Sequence, residues 1–309
     1  MSVLKIGTRA SALATAQSGQ VGRRLGEHEL VTISSEGDRD QRTSLEQLGG
    51  TGVFVSNLRE ALLRGEVDVV VHSFKDLPTV PPEGIRLAAV PKRADPRDAL
   101  VTRGGTLLVD LPSAAKIGTG SPRRRAQLLA ARPDLDVVPI RGNVDTRLAR
   151  LTSDDPERRL DGVILAAAGL DRLDRGELAQ AELLDLTDWP TAPAQGALAI
   201  EIRADAPPDV ARRATALDHR PTRLAASAER GVLARLEAGC AAPVAASALL
   251  DDGLLFLTAT VYALDGSAKI TASHAAYPED SEDPAGELAE RVAEELLSGG
   301  AADLAPLGK

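Results

Sequence analysis

The sequence predicts an α/β fold of two lobes with a cleft between them, followed by a small α+β C-terminal domain with a three-stranded antiparallel sheet. Three observations predict it. Short β-branched runs alternate with Ala/Leu-rich stretches of helical spacing through the first two-thirds of the chain, the signature of mainly parallel sheets. A further apolar run, Ala197 to Arg203, follows the Pro-rich Trp189-Pro190-Thr191-Ala192-Pro193 and can rejoin the first sheet, which gives two lobes joined by two crossings. The last third carries three apolar runs separated by Asp252-Gly253 and Asp265-Gly266, and Asp-Gly between strands is a hairpin signal.

In chain order, Leu4 to Thr8 forms a strand and Ser11 caps a helix running to about Leu25. Residues 53–64 have apolar positions at helical spacing and stop at Gly65, which suits a helix C-cap. The run 67–72 is a buried strand. After Asp95-Pro96-Arg97-Asp98, strands are expected at 99–102, 116–118, 136–140 and 162–167, with helices near 122–131 and 144–151. Helices near 207–217 and 223–236 precede the hairpins, and an amphipathic helix at 285–297 can cover the last sheet. The division expected is 1–91 with 192–214, then 92–191, then 215–309.

At 43% hydrophobic and 26% charged, the composition is that of an ordinary globular protein, long enough for more than one core. The start lacks a signal-peptide run, and no stretch approaches the roughly 18 apolar residues of a membrane span, so a cytoplasmic location is expected. A net charge of −9 argues against nucleic acid or an anionic membrane surface as partner. Any anionic ligand must be held by a local cluster. Of 36 basic residues, 30 are arginines, so only arginines placed where local physics disfavours them are informative.

Gly118-Thr119-Gly120-Ser121-Pro122-Arg123-Arg124-Arg125 is such a place. Ser121 caps, Pro122 suits the first helical position, and three arginines then oppose the helix dipole, at about 0.3–1 kcal/mol each when exposed. A bound anion is the simplest offset, and at most two of the three can face one ligand because successive residues lie about 100° apart. Arg141 and Arg147 follow the next strand, and Arg9 with Ser11 occupies the equivalent turn of the first lobe. Arginines converging from several turns suit a ligand with several carboxylates; the Walker and dinucleotide-binding glycine patterns of phosphate sites are absent from the sequence.

His72-Ser73-Phe74-Lys75-Asp76-Leu77-Pro78 follows the buried strand and brings Lys75 and Asp76 to the same edge, although a carboxylate there serves a turn or cap more often than catalysis. Phe54 closes the glycine-rich 49–54, which suits a mobile lid or a plain surface loop. The four histidines show no metal-ligand spacing, so no metal is expected. Cys240, the only cysteine, is either an inert small hydrophobe or a reactive group used alone.

Thr8-Arg9-Ala10-Ser11, Gly49-Gly50-Thr51-Gly52-Val53-Phe54, His72 to Pro78, Asp95-Pro96-Arg97-Asp98-Ala99, Gly118 to Arg124, Leu165 to Leu170 with Arg172, Ala194-Gln195-Gly196 and Glu237-Ala238-Gly239-Cys240 together resemble hydroxymethylbilane synthase (porphobilinogen deaminase). The ordered set is highly specific, and it covers nearly the whole chain.

The resemblance implies a transferase of tetrapyrrole, porphyrin and haem biosynthesis. It would join four porphobilinogen molecules head to tail with loss of ammonia, then release hydroxymethylbilane with water. It implies two lobes like type II periplasmic binding proteins, a third domain, a monomer, and a covalent dipyrromethane cofactor on a thioether at Cys240. Asp76 matches the catalytic aspartate. Arg9, Arg123, Arg124, Arg141, Arg147 and Arg172 match positions that hold acetate and propionate groups. Ser11, Lys75, Thr119, Ser121 and Gln195 are expected as supporting contacts, and Phe54 is expected to pack against a pyrrole ring.

Two departures stand out: Gln47 and Thr51 replace loop lysines of many relatives, and Gly120 with Pro122 replaces other residues. A non-enzymatic two-lobed binding protein would explain the arginines but leave Asp76 and Cys240 unused. A cysteine hydrolase would need a histidine base that the sequence does not nominate.

Overall fold

The computed structural model describes residues 3–33, 52–239 and 242–307. The chain divides into two compact units, Met1–Ala94 with Ala197–Arg223, and Asp95–Gly196 with Leu224–Lys309.

In the first unit, β1 (Leu4–Thr8) pairs in parallel with β2 (His28–Thr32) and β3 (Val69–Ser73). β10 (Leu198–Arg203) runs antiparallel between β3 and β4 (Ile85–Ala89), for an order β2-β1-β3-β10-β4. Ile6, Val69, Ile200 and Ile202 are fully buried and pack with Val21 and Leu25 of α1 (Ala12–Leu25). Each such side chain contributes roughly 1.5–3 kcal/mol by leaving water. On α2 (Gly52–Leu63), Arg59 donates to Glu201 of β10 through Nε at 2.9 Å and Nη2 at 2.6 Å, and His72 Nε2 lies 3.2 Å from the same carboxylate.

In the second unit, β6 (Lys116–Thr119) pairs in parallel with β7 (Asp136–Pro139) and β8 (Gly162–Ala166), and β5 (Asp98–Thr102) runs antiparallel between β8 and β9 (Glu182–Leu183). The order β7-β6-β8-β5-β9 repeats the connectivity of the first sheet. Each sheet takes its antiparallel strand from the chain just after it enters that unit, β5 near Asp95 and β10 at Ala197. Half of the pairings in each sheet are therefore antiparallel, more than the alternation of runs implied. Gly118 lets β6 pack closely, since a Cβ there would meet Leu160 Cδ1 at 2.5 Å and Ile140 Cγ2 at 2.9 Å.

The second unit also contains β11 (Val244–Asp251), β12 (Leu254–Tyr262) and β13 (Lys269–Ala276), an antiparallel meander whose hairpins fall at Asp252-Gly253 and near Asp265-Gly266. Helix α6 (Pro284–Ser298) covers one face, with Leu288, Val292 and Leu296 against Leu255, Leu257 and Val261. The second hairpin meets α3 (Pro122–Ala131): a Cβ on Gly266, at φ 75°, would lie 2.6 Å from Ala130 N. Tyr262 is buried there with Ala126 and Ala245. No described helix is long and apolar enough to cross a membrane.

Candidate functional site

In the first unit the carboxyl ends of β1 and β3 bring Arg9, Ser11, Lys75 and Asp76 to one edge of the sheet. Ser11 caps α1, its hydroxyl accepting from Ala14 N at 3.3 Å. Asp76 ends a single helical turn, Phe74–Asp76, whose flanking Phe74 and Leu77 are buried. Phe74 N donates to Ala197 O at 3.0 Å, so β10 pins the turn while Asp76 stays half-buried. Behind it, Gln17 Nε2 donates to Ser73 Oγ at 2.9 Å. Sequence reasoning missed Gln17; its place among the buried positions of α1 is the signal that could have found it.

In the second unit three parallel strands end at one edge, and each delivers a cation. β6 leads through Thr119 and Ser121 to Arg123 and Arg124, β7 to Arg141 and Arg147, and β8 to Arg172 in α4 (Ala167–Arg172). Ser121 caps α3, accepting from Arg124 N at 3.4 Å, and Thr119 Oγ1 accepts from Ser121 N at 3.1 Å. Arg125 is exposed and donates to Val137 O, so two of the three consecutive arginines point inward.

Those two converge on Asp98, a fully buried carboxylate at the start of β5. Arg123 Nη2 donates to Oδ2 at 2.9 Å and Arg124 Nη2 to Oδ1 at 2.6 Å. Trp189 Nε1 donates to Oδ2 at 3.0 Å and Gln195 Nε2 to Oδ1 at 2.7 Å. Burial pushes the Asp98 carboxyl up, but the fields of Arg124 and Arg123 outweigh it and hold the group well below the usual carboxylate range. Arg123 also donates to Gln127 Oε1 at 2.5 Å and Pro190 O at 3.1 Å, and Gln127 Nε2 reaches Tyr262 Oη at 3.3 Å. Its terminal nitrogens thus serve protein acceptors.

Arg147 and Arg172 are half-buried, and each donates to a backbone carbonyl. Burial, then the neighbouring Arg124, pushes the Arg147 guanidinium down; Arg147 Nε donates to Gly142 O at 2.9 Å. Burial lowers Arg172 to about 10, while Nη2 donates to Gly196 O at 2.7 Å. The Nε atoms of Arg123, Arg124, Arg172 and Arg175 are buried without a hydrogen-bond partner among the described residues. Two buried guanidinium groups on one carboxylate, with two half-buried ones at the same sheet edge, fit a polycarboxylate ligand, which is what a dipyrromethane with acetate and propionate arms is. Among the described residues no cluster of His, Cys, Asp and Glu could hold a metal.

Asp98, Gln127, Trp189 and Glu229 were missed in the sequence. Glu229, fully buried on α5 (Arg220–Arg235), accepts from Ala194 N at 2.6 Å and Ala248 N at 2.8 Å, tying the turn before Gln195 to β11. Two buried arginines demand a buried carboxylate, and that demand was the available signal for Asp98. Arg141 is exposed at the end of β7. Cys240, Gln47, Thr51 and the Phe54 side chain lie outside the described residues.

Residues 4–209 match the family described as porphobilinogen deaminase, dipyromethane cofactor binding domain, and residues 223–298 match porphobilinogen deaminase, C-terminal domain. The chain is similar to the porphobilinogen deaminase of Leifsonia xyli subsp. xyli, at 56% identity over 98% of this chain and 94% of that one. The porphobilinogen deaminase of Cutibacterium acnes is 50% identical over 99% and 98%, and that of Thermobifida fusca 50% over 96% and 94%. Among solved structures, a marine-metagenome TRAP solute binding protein specific for aromatic acid ligands aligns with 75% of this chain and 80% of its own, at 13% identity and TM-score 0.39.

Proposed function

The chain belongs to the porphobilinogen deaminase family, and from that premise we propose how its own residues carry out the condensation of four porphobilinogen molecules into hydroxymethylbilane. The dipyrromethane cofactor of the family supplies a primer to which pyrrole units are added. Cys240 holds it through a thioether. Arg124, Arg147 and Arg172, with Arg9 and Arg141, grip acetate and propionate groups through charge-assisted hydrogen bonds. Ser11, Lys75, Thr119, Ser121 and Gln195 orient them, and Phe54 packs on a pyrrole ring. Arg123 acts from behind, through Asp98.

Asp76 does the electrostatic work. Loss of ammonia from porphobilinogen leaves an azafulvenium-like cation, and a carboxylate against the pyrrole N–H stabilises charge as it develops. Its pinned turn supplies the rigidity that such preorganisation needs, and the same carboxylate takes a share of the proton transfers.

The observation that carries this reading is the pairing of two buried arginines, Arg123 and Arg124, on Asp98, with the half-buried Arg147 and Arg172 at the same sheet edge. We also propose three domains, at 1–91 with 192–214, 92–191 and 215–309, a monomer, and a cytoplasmic location. The test is incubation of the purified protein with porphobilinogen, following ammonia and linear tetrapyrrole. Release of about one ammonia per pyrrole consumed is expected; binding without ammonia release would favour a binding protein instead.

A further inference from the structure

We propose that Asp98 is a positioning residue for the arginine pair, holding Arg123 and Arg124 side by side before any polycarboxylate arrives, and that Trp189 reports on its state. Arg123 and Arg124 are neighbours on α3, each less than 10% exposed, and two guanidinium groups so placed repel each other and lose their hydration. Asp98 removes that conflict symmetrically. Each of its oxygens takes one guanidinium and one neutral donor: Arg123 with Trp189 on Oδ2, Arg124 with Gln195 on Oδ1. With both oxygens committed, neither arginine can swing without abandoning a charged partner in the interior.

The network has two further ends. Arg124 Nη1 donates to Ile164 O at 3.1 Å, which fixes it to the strand that leads to Arg172. Arg123 reaches Gln127, and Gln127 reaches Tyr262 of the antiparallel meander, so the arrangement is braced against that sheet. One negative charge against two positive ones leaves an excess that a ligand carboxylate can neutralise. Trp189 is the only tryptophan, and its indole N–H bonds directly to the Asp98 carboxylate, so its emission senses rearrangement of the hub.

This inference rests on the reading that Arg124 faces a ligand carboxylate, and the test separates the two. Full-length protein carrying Asp98→Asn, Trp189→Phe or Arg124→Leu is compared with wild-type holoenzyme for covalent cofactor by intact mass, for kcat and KM with porphobilinogen, and for fold by circular dichroism. Trp189→Phe should fold, keep kcat within about twofold and raise KM about three- to tenfold, a split that loss of stability alone does not produce. Asp98→Asn should lose covalent cofactor, and its Trp189 emission should no longer respond to porphobilinogen as wild type does. Should Asp98→Asn fail to fold, Trp189→Phe decides. Unchanged KM in folded Trp189→Phe, or full cofactor occupancy in Asp98→Asn, would overturn the positioning role while an impaired Arg124→Leu left the site reading intact. An unaffected Arg124→Leu would instead remove the site reading itself.

Discussion

Arg124 Nη2 lies 2.6 Å from Asp98 Oδ1 in the protein interior, with the arginine nearly buried and the carboxylate fully so. A pair with this geometry offsets its desolvation only while both partners remain, and breaking a buried pair costs about 3–5 kcal/mol. Arg124→Leu is therefore expected to lower stability by an amount of that order and to leave the protein without covalent cofactor. Chemical denaturation and intact mass check the two halves of this statement; a variant with normal mass and turnover would return Arg124 to a purely structural role.

Asp76 is half-buried at the end of a turn held by the buried Phe74 and Leu77, so the fold does not depend on its charge. Asp76→Asn should melt within a few degrees of wild type and lose about 10²–10³ in kcat, the scale of removing one preorganised electrostatic group. Near-normal turnover would take Asp76 out of the mechanism.

Burial pushes the Glu201 carboxyl up, but hydrogen bonds from Arg59 and His72 outweigh this and hold it at about 2, below the ordinary 4.5. A depressed carboxylate contributes stability that is fully present above 4.5 and is lost as pH falls from 4.5 toward 2. The contribution is roughly 3 kcal/mol. Arg59→Leu should flatten the fall in unfolding free energy across that window, measured by urea denaturation at a series of pH values. An unchanged acid limb would show that the pair does not set acid stability.

Gly266 has φ 75°, and its Cα faces the backbone of the arginine-bearing helix. Gly266→Ala should cost about 1–3 kcal/mol, from the strained conformation and from displacement of the hairpin off Ala126 and Ala130. Equal denaturation midpoints for the two proteins would mean that the hairpin moves freely.

Much of the fold was legible because hydrophobic period and caps agree along the chain. Ser11, Ser121 and the Asp-Gly turns mark their elements, and the late run at Ala197 joins the first sheet as expected. What escaped was governed by tertiary context. β2 is an edge strand whose side chains are half-exposed or exposed, so no apolar run announces it. The short helix Ala167–Arg172 continues directly from β8 through a run of alanines, so the expected strand 162–167 ran one residue into it and the helix itself went unread.

The arginines were legible as an anomaly at a helix start, but their division of labour was not. Asp98 belongs to a motif whose acidic and basic residues suggest a loop, yet it opens a buried strand and faces two cations from another element. Sequence spacing cannot reveal a pairing between residues 25 and 26 positions apart.

The most direct measurement is the intact mass of the purified active protein and of its Cys240→Ser variant. A mass excess matching a covalent dipyrromethane in the first, absent from the second, is the result expected if Cys240 anchors the primer that the arginines hold. An unmodified mass in a preparation that converts porphobilinogen at full rate would contradict it.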